Sequence, residues 1–198
     1  MNLPDLTLEN EFIPIPRAFR CHETGKAFSN CMVCNEYLLR DGTPYMIEKA
    51  FRQIPEMKLK DVIFEYAICA LCAAKMQQAM SVESRQRISA YFQEHTNLVK
   101  RRNDLLETKP RRVKAWIDHC VIKGTPLAKS PEYQIMAQCD GKHLLFAYLP
   151  FALSLEAMNE MTSLLSEKSL GEIDDFMGKY FTGPPEVAAI LKRRLILV

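Results

Sequence analysis

An α+β fold is predicted, and three observations predict it. Two C-x-x-C pairs, Cys31-Met32-Val33-Cys34 and Cys69-Ala70-Leu71-Cys72, enclose strand-forming residues, and the second pair runs straight into a helix-forming stretch. Asp140-Gly141 separates two apolar runs, the pattern of a hairpin with a type I′ turn. From Ser154 onward, apolar residues recur at spacings of three and four behind capping residues, the signature of amphipathic helices. The expected architecture is a ββα unit at the cysteines with a helical extension, then a small α+β domain of a β-hairpin and C-terminal helices.

The 198 residues allow one large domain or two small ones. An apolar share of 48% and a charged share of 25% are ordinary for a chain with a packed core. The net charge of +2 argues neither for nor against a nucleic-acid partner. The expected division is an N-terminal arm over 1–27, a cysteine module with its helical extension over 28–108, a basic linker over 109–115 and the α+β domain over 116–198.

Residues 1–20, interrupted by Pro4, Pro14 and Pro16, read as an extended surface arm. Thr24-Gly25-Lys26 reads as a turn before Cys31. Asn35 follows Cys34, where the chain must bend sharply, and Asn is the non-glycine residue that best tolerates a left-handed conformation. Arg40 to Pro44 is a turn cluster, Tyr45 to Phe51 a strand, Ile54 to Lys60 a loop containing Pro55, and Asp61 to Ile68 the returning strand. On that strand Phe64 and Tyr66 share one face, Ile63 and Ala67 the other. Cys69 to Met80 is rich in Ala, Met, Gln and Lys, all good helix formers. Ser81 is placed to cap a second helix, whose apolar spacing slips near His95-Thr96-Asn97 and either continues through Leu105-Leu106 or breaks.

In the second half, Ala115 to Ile122 reads as a strand, and Tyr133–Cys139 with His143–Leu149 as the hairpin. Ser154 caps one helix, and Ser169-Leu170-Gly171-Glu172 reads as a capping box before Ile173, Phe176, Met177 and Tyr180. A last helix is expected from Gly183-Pro184-Pro185 to Lys192-Arg193-Arg194, then an apolar tail, Leu195 to Val198. Gly42-Thr43-Pro44 recurs as Gly124-Thr125-Pro126, too short a match to define a repeat.

The chemistry concentrates in Cys31, Cys34, Cys69 and Cys72. Zn²⁺ takes four soft or borderline ligands in a tetrahedron, and each C-x-x-C turn supplies one edge of it. Free N–H groups and the dipole at the start of the second helix favour thiolates over thiols. Zinc is the expected ion. Iron is the alternative, although a rubredoxin-like site would use two knuckles and the second pair here begins a helix. A knuckle, a hairpin and a helix carrying the last two ligands resemble the treble-clef family of zinc modules. The resemblance rests on those four cysteines and spans residues 28–80, less than half of the chain. It implies a structural zinc in a compact ββα unit, and no single function, since treble clefs serve nucleases, ribosomal proteins and protein-binding adaptors.

Other chemistry is thinly supported. His22-Glu23 is not the spaced H-x-E of zinc deaminases, and no Pro precedes Cys31 or Cys69. No His lies between Cys34 and Cys69, where a treble-clef nuclease would need one. The chain has no phosphate-loop, dinucleotide, zincin or nucleophile-elbow motif and only seven glycines. Cys21, His22, His119, Cys120, Cys139 and His143 read as core thiols and rim histidines, and a Cys–His dyad among the last four needs a geometry that sequence does not supply.

The basic run Lys100, Arg101, Arg102, Lys109, Arg111, Arg112 and Lys114 reads either as a phosphate-contacting strip or as a solvated helix end, and the nearly balanced charge favours the second. The N-terminus lacks the pattern of a signal peptide, no apolar run approaches a membrane span, and seven cysteines without regular pairing point to a reducing compartment, the cytoplasm by default. The expectation is a zinc-stabilised binding or adaptor protein with a protein partner. Nucleic-acid binding or regulation through residues 100–114 is the alternative, and an enzyme comes third.

Overall fold

The computed structural model describes residues 12–54 and 59–181. The first part of the expected arm, the loop around Pro55, the helix opening at Gly183 and the apolar tail lie outside the described residues.

Strand-forming residues condense into one antiparallel sheet. Its strands are β1 (Phe12–Pro14), β2 (Pro44–Ile54), β3 (Leu59–Cys69), β4 (Glu132–Asp140), β5 (His143–Leu145) and β6 (Phe151–Ser154). The order is β1-β5-β4-β2-β3, with β6 following β5 along the same edge of β4. β2 comes from the stretch read as the cysteine module and β4 from the stretch read as a second domain. They are paired from Pro44 opposite Asp140 to Arg52 opposite Glu132. The two stretches thus share one sheet and one hydrophobic core. The described end of the arm is tied to the fold, because β1 pairs with β5 while Ile15 and Phe19 are buried.

β2 and β3 carry the expected strands with a bulge between Ala50 and Phe51, and they extend through Ile54, Leu59 and Lys60, which the sequence predicts as loop. Phe64 and Tyr66 do share a face, 6.1 Å apart, and pack with Phe176 and Phe181. Glu48 and Lys49 project to opposite sides of β2 and are both buried. Each finds its partner directly across on β3. Glu48 accepts from the Tyr66 hydroxyl at 2.7 Å, and Lys49 pairs with Glu65 at 2.8 Å.

Six α-helices are described: α1 (Ala70–Ala79), α2 (Val82–His95), α3 (Leu98–Thr108), α4 (Val113–Ile117), α5 (Leu155–Ser163) and α6 (Glu167–Tyr180). Ser81 and Ser154 cap α2 and α5 as their positions predict. The slip at His95–Asn97 is a break, where Asn97 caps α3 by accepting the Lys100 N–H.

Three expectations are corrected. The strand expected over Ala115–Ile122 is replaced by α4 and a turn, because Val113, Trp116 and Ile117 sit at helical spacing against the core. Ser166, not Ser169, caps α6. The Ser169 hydroxyl instead accepts the Ser81 N–H at 2.9 Å, and the Ser84 hydroxyl accepts the Ser166 N–H at 2.9 Å, so the starts of α2 and α6 cap one another. The hairpin turn is Gly141-Lys142 rather than Asp140-Gly141, since Asp140 pairs with His143, and its second strand ends at Leu145 rather than Leu149. Asp140 uses its carboxylate to accept the N–H groups of Gly42 (2.7 Å) and Thr43 (3.0 Å). That contact brings the two loops so close that a Cβ on Gly141 would lie 2.9 Å from Asp41 Oδ1.

Candidate metal centre

The two halves of the centre form by local rules. Between an isolated bridge from Asn30 to Tyr37, the Cys31 N–H donates to the Glu36 carbonyl at 2.8 Å and the Asn35 N–H returns to the Cys31 carbonyl at 2.9 Å. Asn35 closes this knuckle with φ +62°, the left-handed conformation expected of it. On the other side, β3 ends at Cys69 in extended conformation and α1 begins at Ala70, which puts Cys72 in the first turn. The Met32 N–H donates to the Ala67 carbonyl at 2.9 Å and docks the knuckle on the end of β3.

All four Sγ atoms lie within 4.8 Å of one another. Cys34 and Cys69 are 3.7 Å apart, close to the roughly 3.8 Å edge of a tetrahedron with Zn–S bonds of about 2.3 Å. Cys31, Cys69 and Cys72 are buried, and Cys34 is the exposed member. Burial pushes the Cys31 thiol up, but the N–H groups of Cys69, Cys34 and Val33 outweigh it and hold its pKa below the ordinary value. Burial, with the neighbouring sulfurs, pushes Cys69 and Cys72 up. Sulfurs so packed resist ionising together unless a cation joins them, which is the work a metal ion would do here. The donor set fits one. Cys31, Cys34, Cys69 and Cys72 could hold a metal ion, and they are the one group of three or more such side chains found within reach of each other among the described residues.

The remaining cysteines and histidines are dispersed. His22 and His143 are exposed, and His119, also exposed, pairs with the adjacent Asp118 at 2.7 Å. Cys139 is wholly buried, and that burial pushes its thiol up to about 12, far from a nucleophile's range. Cys120 is buried and accepts the Lys123 N–H at 3.4 Å.

The basic positions diverge. The Arg101 guanidinium turns inward, donating to the carbonyls of Trp116 (2.5 Å) and Pro150 (3.3 Å) over the Trp116 ring. Burial lowers its pKa to about 10. Lys100 pairs with Asp104 at 2.5 Å, and Arg102 donates to Asn103 at 3.3 Å. Lys109, Arg111, Arg112 and Lys114 are exposed around the α3–α4 junction, with Arg111 at φ +60°. Two ionic features escaped sequence reading. Lys49–Glu65 was detectable as opposite charges at facing strand positions, whereas Lys123–Glu160 joins residues whose proximity no spacing reveals.

Compared with known protein families, curated proteins and solved structures, the chain matches none. No described helix is long and apolar enough to cross a membrane.

Proposed function

We propose that this chain is a zinc-stabilised binding or adaptor protein in which Cys31, Cys34, Cys69 and Cys72 hold a structural Zn²⁺ and the partner is another protein. The observation that carries the metal reading is the convergence of four sulfurs, with no His or carboxylate among them, from a knuckle and a helix start. Four thiolates fill the tetrahedron, and a catalytic zinc needs an open position. The succession of knuckle, strand pair and helix supports a treble-clef-type unit, and a helical second half of the ligand set supports zinc over a two-knuckle iron site. Thiolate ligation suits a reducing compartment, the cytoplasm in this reading.

A protein partner is supported by the surface at the centre. Tyr37 and Leu71 are 50% and 77% exposed on its two sides. Beside them an apolar cleft of about 360 Å³ opens between α1 and α6, lined by Val33, Met76, Met80, Ile173, Phe176 and Tyr180. A nucleic-acid partner is less well served, since Arg101 is turned into the fold and Lys100 is paired with Asp104 on the same helix.

Two measurements test this. Elemental analysis of protein purified without added metal should find one zinc per chain, and its absence, or iron in its place, rejects the zinc reading. Fluorescence anisotropy with mixed DNA and RNA oligonucleotides at two salt concentrations should show no salt-sensitive binding. Binding lost on Arg102→Ala with Arg111→Ala and Arg112→Ala would put nucleic acid in the partner's place.

A further inference from the structure

Two stretches with little sequence in common are built alike. At Cys120 the chain repeats the knuckle of Cys31. A bridge joins His119 to Pro126, the Cys120 N–H donates to the Thr125 carbonyl at 2.9 Å, and the Gly124 N–H returns to the Cys120 carbonyl at 2.8 Å. Gly124 closes it with φ +63°, in the place of Asn35. The turn alone proves little, because Cys21–Lys26 closes with the same pair of bonds, both at 2.9 Å, and Gly25 at φ +68°.

Docking separates the cases. The Val121 N–H donates to the Ala152 carbonyl at 2.8 Å, as the Met32 N–H does to Ala67, whereas the His22 N–H goes to the Glu65 carboxylate. Ala67 and Ala152 each stand two residues before a helix cap, Cys69 of α1 and Ser154 of α5. The strand pairs agree in register. Tyr45 faces Cys69 and Ile47 faces Ala67, while Tyr133 faces Ser154 and Ile135 faces Ala152. Counting on three residues from Tyr45 and Tyr133 reaches Glu48 and Met136, which face each other across β2 and β4. Equivalent positions therefore meet at the centre of the sheet, as a two-fold axis requires, and the strand order β3-β2-β4-β6 reads alike from both ends.

We infer that residues 30–79 and 119–163 are two copies of one knuckle–hairpin–helix unit, related by a local two-fold axis through Glu48 and Met136, and that the second copy holds a metal site with three of its four ligands replaced. Its ligand positions are Cys120, Lys123, Ser154 and Ala157. The replacements form a consistent set. Lys123, in the place of Cys34, sends its ammonium to Glu160 (2.5 Å) and Glu156 (3.4 Å) on α5, so a cation still ties knuckle to helix, now carried by the chain itself. Ser154 accepts the Ala157 N–H as a helix cap, and Ala157 is wholly buried where the fourth sulfur would stand.

Restoring the thiols should restore the site. Lys123→Cys, Ser154→Cys and Ala157→Cys combined, loaded with Co²⁺ beside the unaltered protein, should double both the cobalt per chain and the thiolate-to-cobalt absorption. A variant with native circular dichroism and a single ion overturns the inference. This arm rests on the first centre binding metal. Should the unaltered protein bind none, the proposed function fails and the inference is judged by its second arm. That arm needs no metal. Ser154→Cys alone puts a thiol as near to Cys120 as Cys69 is to Cys31, within 4.8 Å. Diamide oxidation should then link positions 120 and 154 in a disulfide identified by peptide mass, and a folded variant without that link refutes the equivalence.

Discussion

The knuckles at Cys31 and Cys120 share their backbone bonds and docking, yet they are fastened to their helices by different means. Around the first, α1 buries only Cys72 and Ala73, and Leu71 stands in solvent. Around the second, α5 buries Ala157, Met158 and Met161, each fully buried apolar side chain of methionine size contributing about 1.5–3 kcal/mol. The helix of the first unit is thinly anchored by apolar burial and has four sulfurs beside it. The second has one sulfur at these positions, a richer core and a peripheral ion pair. On the proposed reading, one backbone is held by a metal where its helix is poorly buried, and by packing where its helix is well buried.

The sharpest way to break the comparison is to remove the proposed metal. Binding of structural zinc is worth about 10–16 kcal/mol in small finger peptides, and that free energy is folding free energy. Chelation, or Cys72→Ser, should release amide-exchange protection at residues 31–37 and 70–79 while residues 120–126 and 155–163 keep theirs. Equal loss in both units, or none in the first, contradicts this contrast between them.

The next largest effect concerns Lys49, whose counterpart in the second unit is Ala137. Burial pushes the Glu65 carboxyl up, but the Lys49 ammonium and the His22 N–H outweigh it and hold the folded-state pKa below the usual range. A depressed pKa contributes stability above the unfolded carboxylate value of about 4.3 and loses it as pH falls through the folded value. Lys49→Met leaves the partly buried Glu65 carboxylate without its cation and should destabilise by up to about 3–5 kcal/mol at neutral pH, the cost of breaking a fully buried pair. The deficit should shrink toward pH 4 as Glu65 takes a proton, which urea titrations across that range will show.

Smaller effects sharpen the match of the two turns. A Cβ at Gly124 meets nothing within 4 Å, so Gly124→Ala should cost only its left-handed conformation, about 1–2 kcal/mol, and Asn35→Gly should be neutral or slightly stabilising. Thermal melts that reverse this order argue against equivalent turns. Least of all, Lys123→Met should lower the melting temperature slightly, and added salt should erase the difference. Glu156 is exposed and Glu160 partly so, and Glu160 keeps its hydrogen bond from the Tyr91 hydroxyl.

Sequence by itself determined the features that neighbours along the chain enforce. The C-x-x-C pairs, the left-handed Asn35, the caps at Ser81 and Ser154 and the strands β2 and β3 all follow from local periodicity, capping and backbone sterics. Tertiary structure decided what depended on distant partners. Trp116 lies in a helix because its ring packs on Phe146, 4.9 Å away, and Ser169 yields the cap because its hydroxyl serves α2. The repeat stayed hidden for the same reason. The recurring Gly-Thr-Pro does not mark it, since Gly124 answers to Asn35 and not to Gly42, and the two units are matched by register and docking rather than by residue identity. Hydrogen-bond register belongs to the backbone, which many side chains can support. Two units can therefore keep one geometry after most of their residues, and three of four ligands, have come to differ.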